Sequence, residues 1–116
     1  MEHVFIVENV AELKTVMPGS AQYVQLAGHT DPGDGGDGLF HWNPSKATAN
    51  NGTIVSSNVA SDGHWQRLYS GPVNVRWFGA RGDGREASTE MQHAINTVDG
   101  GGTVLVPAGS YRLKKN

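Results

Sequence analysis

Apolar positions along the chain fall into short runs, each bounded by turn-forming residues. Val4-Phe5-Ile6-Val7 is β-branched and aromatic and predicts a strand. Asn9 is placed to cap a helix, with Glu12 three residues on as in a capping box. Val10, Leu13 and Met17 then share one helical face, and Pro18-Gly19 ends it. Tyr23 to Leu26 alternates as a strand, and Asp31 to Gly38 is a turn-rich loop. Three more strands are predicted: Leu39 to Trp42, Thr53 to Val55 after the Asn50-Asn51-Gly52 turn, and His64 to Leu68 after Ser61-Asp62-Gly63. Trp65 is expected in the core. Residues 1–70 thus predict a small α+β unit, one helix against short antiparallel strands.

Ser70-Gly71-Pro72 is the expected boundary, because proline fixes its own φ and disfavours helix before it. Beyond it the pattern changes. Val73 and Val75 alternate, and Phe78 to Gly84 is a glycine-punctuated loop. Ser88 is the expected cap of a helix over 89–98, in which Met91, Ala94, Ile95 and Val98 make an apolar stripe. Gly100-Gly101-Gly102 ends that helix. Thr103 to Val106 predicts a strand, Pro107-Ala108-Gly109 a turn, and Tyr111 and Leu113 the start of another strand. No internal repeat is visible.

Composition thins this picture. Hydrophobic residues make up 37% of the 116, and 16 are glycine. Short strands and a thin core follow, so burial against other copies or further chain is expected. A net charge of −2 lacks the basic footprint of a nucleic-acid binder. Without cysteine there is no disulfide, thiolate zinc site or cysteine nucleophile. Val4 to Val7 is too short for a secretory h-region, and Glu2 and Glu8 flank it. No run is long enough to insert across a membrane. No cofactor is predicted.

Candidate chemistry is sparse. Asp31, Asp34 and Asp37 could supply carboxylate oxygens to calcium, but aspartate-glycine pairs also form ordinary turns, and the spacing is not that of an EF-hand. His29, His41, His64 and His93 lack metal-ligand spacing. Trp42, Trp65 and Trp77 could stack on sugar rings or anchor an interface. Arg112, Lys114 and Lys115 fit a solvated strand. No catalytic residue is assigned.

The order of pieces in the second half carries more information than any one of them. Phe78-Gly79-Ala80, Gly82-Asp83-Gly84, Gln92 with Ala94-Ile95, Gly100-Gly101-Gly102-Thr103-Val104, Pro107-Ala108-Gly109 and Tyr111 follow one another. This succession resembles the opening of pectate-lyase-like parallel β-helix proteins, including many phage tailspikes. It departs from that family at Glu86-Ala87-Ser88, where a paired-aspartate-threonine stretch is usual. The resemblance implies a capping helix over the first coil of a right-handed parallel β-helix, with Val104 and Val106 pointing inward. The glycines of these pieces, Asp83 and Tyr111 then have structural roles. In the first half, Gly33-Asp34-Gly35-Gly36, Phe40 to Trp42, Asn51-Gly52-Thr53 and Trp65 to Leu68 resemble the module preceding such helices in tailspikes, at the virion-proximal end.

The expected fold is therefore mainly β with two short helices: an attachment domain over 1–70, then a capped β-helix opening over 71–116 that stops before the coils holding any catalytic cleft. The resemblance implies the N-terminal part of a homotrimeric phage tailspike or tail fibre. Its partners would be a virion tail or baseplate protein and, through later residues, a host surface polysaccharide. It would reside on the virion tail, extracellularly. Two alternatives stand beside this. One is the N-terminal piece of a secreted or cell-surface bacterial polysaccharide lyase, epimerase or hydrolase. The other is a carbohydrate-binding module using its tryptophans.

Overall fold

The computed structural model describes residues 4–20 and 23–114. Lys115, read with the basic end of the chain, lies outside them, as does Glu2. The fold is mixed α/β, with two helices and small sheets. The first region comprises β1 (Val4–Val7), α1 (Val10–Leu13), β2 (Tyr23–Leu26), β3 (Gly38–Asn43), β4 (Ile54–Val55) and β5 (His64–Arg67). These strands form one five-stranded sheet in the order β1-β2-β3-β5-β4.

Period-two alternation builds its inner face. Val24 and Leu26 of β2, Phe40 of β3, and Trp65 of β5 are fully buried, and Val24 pairs with Phe40 across the ladder. Trp42 pairs with Trp65, their rings edge to face at 5.3 Å. Leu13 of α1 completes this core. The sheet is not purely antiparallel as expected: β1 runs parallel to β2, joined by a connection that carries α1. Asn9 caps α1 as predicted, its Oδ1 accepting from Glu12 N at 2.9 Å. The reciprocal bond differs, since Glu12 Oε1 accepts from Glu8 N at 3.2 Å. Helix α1 ends after one turn, so Met17 is exposed and Val16 is buried in its place.

The second region comprises β6 (Val73–Asn74), a 3-10 turn (Val75–Phe78), β7 (Asp83–Glu86), α2 (Ser88–Thr97), β8 (Val104–Leu105) and β9 (Ser110–Arg112). Two separate parallel pairs form, β6 with β8 and β7 with β9. Asp83 and Gly84, read as loop, belong to β7, because Ser110 N donates to Gly82 O at 2.9 Å and draws the segments into register. Ser88 does not cap α2. Ala87 holds the cap position, and the Glu86 carboxylate accepts from Ser88 N at 2.6 Å. Ser88 Oγ instead accepts from Lys114 N at 2.7 Å.

Only part of the predicted stripe on α2 is inside. Ala94 is fully buried and Met91 and Val98 pack on the second core, while Ile95 is half exposed. Val104 packs on that core, but Val106 follows β8 and is exposed, contrary to its expected inward direction. Leu113 is also exposed.

Candidate functional site

The two regions meet at Arg67. Trp65 and Arg67 are two residues apart on β5, so both side chains turn to the same face of the sheet. Arg67 is only 3% exposed. Its guanidinium donates from Nε to Gly52 O at 2.7 Å, from Nη1 to Asp37 O at 2.7 Å and from Nη2 to Gly36 O at 2.9 Å. Burial pulls its pKa down to about 10, partly offset by Asp37 and Tyr69, so it stays charged at neutral pH. The planar group lies between two rings, 4.7 Å from the centre of Phe40 and 4.5 Å from that of Trp77. Phe40 belongs to the first core and Trp77 packs on the second, so one cation joins both. Tyr69 meets Trp77 edge to face at 5.0 Å.

Further contacts cross the same junction. The Phe78 ring lies on Gly52, where any Cβ would collide with it, which explains a glycine in that turn. Gly38 is likewise required, because a side chain there would strike Arg67 Nη1. Asn50 Nδ2 reaches Thr97 Oγ1 of α2 at 3.3 Å. Arg81 pairs with Asp31 and lies 3.6 Å from Asp34.

The three aspartates do not converge. Asp34 is a backbone hub: Oδ1 accepts from His29 N and Gly36 N, and Oδ2 from Thr30 N and Asp31 N, at 2.9–3.0 Å. Burial raises its pKa, but these four donors outweigh burial and hold it below the ordinary value. Its oxygens are thereby committed to folding the loop. Among the described residues no group of three or more His, Cys, Asp or Glu side chains is arranged to hold a metal. Nor is any described helix long and apolar enough to cross a membrane.

The family-like residues of the second half sit around the parallel pairs. Phe78 and Ala80 are buried. Gly79 ends the 3-10 turn at φ 104°, in the left-handed region. Gly82 lies under the Tyr111 ring and against Gly109. Tyr111 donates its hydroxyl to Pro107 O at 2.8 Å. Asp83 pairs with Arg85 at 3.2 Å beside Gly84, both exposed. Gln92 is exposed on α2 and donates to Asn96 Oδ1 at 2.9 Å. Gly101 and Gly102, both at positive φ, form the turn after α2, and Gly102 lies against Val98.

Of the tryptophans, Trp65 is 0% exposed, so neither a sugar nor a partner reaches its ring. Trp42 and Trp77 are half-buried, the first against Trp65 and the second beneath Arg67. In the sequence Arg67 stands only as one member of the Trp65 to Leu68 strand, with no role of its own. The signal was its two-residue offset from a core tryptophan.

A junction of ring-stacked arginine, required glycines and backbone-saturated carboxylate defines a structural element that holds two folded regions together. A profile of the phage tail protein small four-stranded β-sheet domain matches residues 6–70, more than half of the chain, and the chain belongs to that family. Strands β2 to β5 lie wholly within the match. No curated protein matches the chain in sequence.

Among solved structures, tailspike protein 2 of an Escherichia coli O157:H7 bacteriophage is similar, with a TM-score of 0.65 and 27% identity over 78% of this chain. Tailspike protein gp49 of Acinetobacter baumannii bacteriophage Fri1, a capsular polysaccharide depolymerase, shares the fold over 95% of the chain, with a TM-score of 0.77 and 21% identity. WceF of Pantoea stewartii, a glycan biofilm modifying enzyme with a tailspike-like parallel β-helix fold, gives 0.62 at 23% identity over 78% of the chain. The chain spans 12%, 21% and 13% of these proteins, respectively. Family and fold together make it a structural N-terminal tailspike segment.

Proposed function

We propose that the chain fastens a receptor-binding or depolymerising β-helix to a virion tail. Residues 1–70 are the virion-proximal attachment domain, and residues 71–116 open the β-helix, with α2 as its lid. The observation that carries this is the Arg67 junction, which fixes the sheet domain to the parallel pairs by stacking and hydrogen bonds. The two parallel pairs support the reading as a first coil, since stacked coils pair their strands in parallel. Three copies assemble around an axis, and the thin second core supports burial between them. The working place is the tail of an extracellular particle, and the polysaccharide contact belongs to later coils.

The likeness to WceF favours a second reading, in which the same segment opens a bacterial glycan-modifying enzyme. A competition assay separates the two. Purified chain is added in excess while spike-less tails of the parent phage are reconstituted with intact spike. Attachment predicts blocked spike incorporation and lost infectivity. Full incorporation at saturating chain overturns it.

A further inference from the structure

The five-stranded sheet has two edges, and they differ. At one, β4 is two residues long and leaves almost nothing to pair with. At the other, β1 lies in unbroken parallel register on β2, with Val4 opposite Tyr23 and Val7 opposite Leu26. Edge strands are ordinarily blunted by a lysine, a proline, a bulge or a covering element. Val4-Phe5-Ile6-Val7 has no charge and no proline, and its register shows no bulge. Strands β2 to β5 supply the four of the family's sheet, so β1 is a fifth strand laid on their β2 edge.

The backbone of β1 alternates in direction. Val7 O accepts from Ala27 N at 2.9 Å, so Val7 and Phe5 turn their peptide groups to β2. Ile6 therefore turns its N–H and C=O outward, and no hydrogen bond from a described residue meets either. Glu8 N follows on the same side, and the Glu12 carboxylate has taken it at 3.2 Å. The open stretch of edge thus ends at Glu8. Its side chains are open too. Ile6 is 76% exposed on the outer face, and Phe5 is 40% exposed on the face of buried Val7.

On the attachment reading proposed above, we infer that β1 is the contact made with the virion: an extended segment of a tail protein adds to this edge as a sixth strand. Main-chain bonds to Ile6 supply the docking. Phe5 and Ile6 present to opposite faces, so the incoming strand needs apolar side chains at adjacent positions, not alternate ones. Glu8 and Glu12 are both exposed where the open edge ends, and a lysine or arginine where the segment passes them is their complement. A second copy of the chain fits less well. Two β1 edges pair about a twofold and close at two copies, whereas the assembly proposed above has three about one axis. An edge this short binds weakly by itself, and three edges on one spike multiply the hold.

The test returns to spike-less tails reconstituted with intact spike in competition with purified chain. Ile6→Pro removes the outward N–H, which the β2 ladder does not use, at a position where edge strands admit proline. Ile6→Lys leaves the backbone intact and places a charge on the edge. The lysine variant is expected to keep its thermal midpoint, because the side chain it replaces is exposed. Both variants are expected to need about tenfold more chain than the parent for half-maximal blocking, the scale of a lost hydrogen bond and its apolar contact. Should Ile6→Pro fail to fold, Ile6→Lys decides alone. If the parent chain blocks and folded Ile6→Lys blocks equally, attachment stands and β1 is not its contact. If the parent chain does not block at all, the attachment reading falls and takes this contact with it. Sedimentation of the parent as a dimer that Ile6→Lys dissociates also overturns the assignment, because a second copy then occupies the edge.

Discussion

The sheet region and the region after Pro72 solve the same burial problem with different materials. In the sheet region Trp65, Phe40, Leu13, Leu26, Val24 and Val55 are fully buried and pack on one another. In the second region the core is Val73, Val75, Phe78 and three alanines, Ala80, Ala87 and Ala94. Its largest side chain and the tryptophan packed on it lean outward on the first region: Phe78 on Gly52, and Trp77 on Arg67. Meanwhile Leu105, Val106 and Leu113 remain exposed. One region closes its own core, and the other borrows burial across a junction and leaves apolar surface open.

The largest test of that contrast is Trp65→Ala. The substitution empties a fully buried site at the centre of the sheet. Its expected cost is about 4 kcal/mol, the scale of deleting a buried aromatic side chain. Because the second region leans on the first, both should unfold together, which urea titration followed by fluorescence and by amide exchange would check. Survival of α2 and the parallel pairs after loss of the sheet would break the comparison.

Arg67→Met comes next. It keeps apolar bulk between Phe40 and Trp77 but strands the carbonyls of Gly36, Asp37 and Gly52. The expected loss is about 3 kcal/mol, since each buried acceptor left unpaired costs roughly 1–3 kcal/mol and some will find water. The more telling readout is cooperativity. Amide exchange should quicken in β6 and α2 before it does in β3 and β5. Unchanged protection in both regions would mean that Arg67 is packing filler and no keystone.

How much of this was legible in the sequence depended on range. Local signals worked wherever one residue's chemistry decided the outcome. Asn9 capped α1, the turn before Ile54 formed around Asn50, and alternation set β2. Errors arose where distant segments competed. Ser88 carries the better cap side chain, but its hydroxyl is engaged by Lys114 N, 26 residues away, and Glu86 takes over. Asp83 and Gly84 have the composition of a loop, yet pairing with β9 makes them strand. The Arg67 junction joins segments from Gly36 to Trp77 in one contact set, which no local window contains. The Gly33-Asp34-Gly35-Gly36 loop was visible as a turn, but Asp34's role as acceptor of four amides needed the folded backbone.

Asp34→Asn probes the loop that holds Gly36 and Asp37 beneath Arg67. The side chain is 5% exposed, and an amide nitrogen in place of one oxygen would face two backbone donors. The expected cost at neutral pH is about 2 kcal/mol, for bonds lost and donors left unpaired. The pH dependence follows from the direction of the shift. The folded carboxyl titrates below its ordinary value of 3.8, so the ionised form stabilises the fold fully above that value. That contribution falls away as pH drops through the lower, folded value. The stability gap between parent and variant should be flat near neutrality and narrow as pH is lowered below 3.8, measured as urea midpoints across a pH series. A gap that persists unchanged into acid would mean that the carboxylate charge contributes nothing.

The smallest expected effect is the most informative about the open side of the second region. Val106 is 48% exposed, just past β8. Val106→Ser in the isolated chain should change stability by no more than about 0.5 kcal/mol, as for other surface positions away from caps and networks. The hydroxyl adds no buried polar group, because solvent reaches it. A loss of about 1–2 kcal/mol would require Val106 to be covered in solution, by further copies, as transfer of apolar area into a contact would predict. Repeating the measurement over a hundredfold range of protein concentration separates the cases. A concentration-independent null effect confirms that this face stands open in the lone chain, whereas a penalty that grows with concentration shows that assembly supplies the burial the second region lacks.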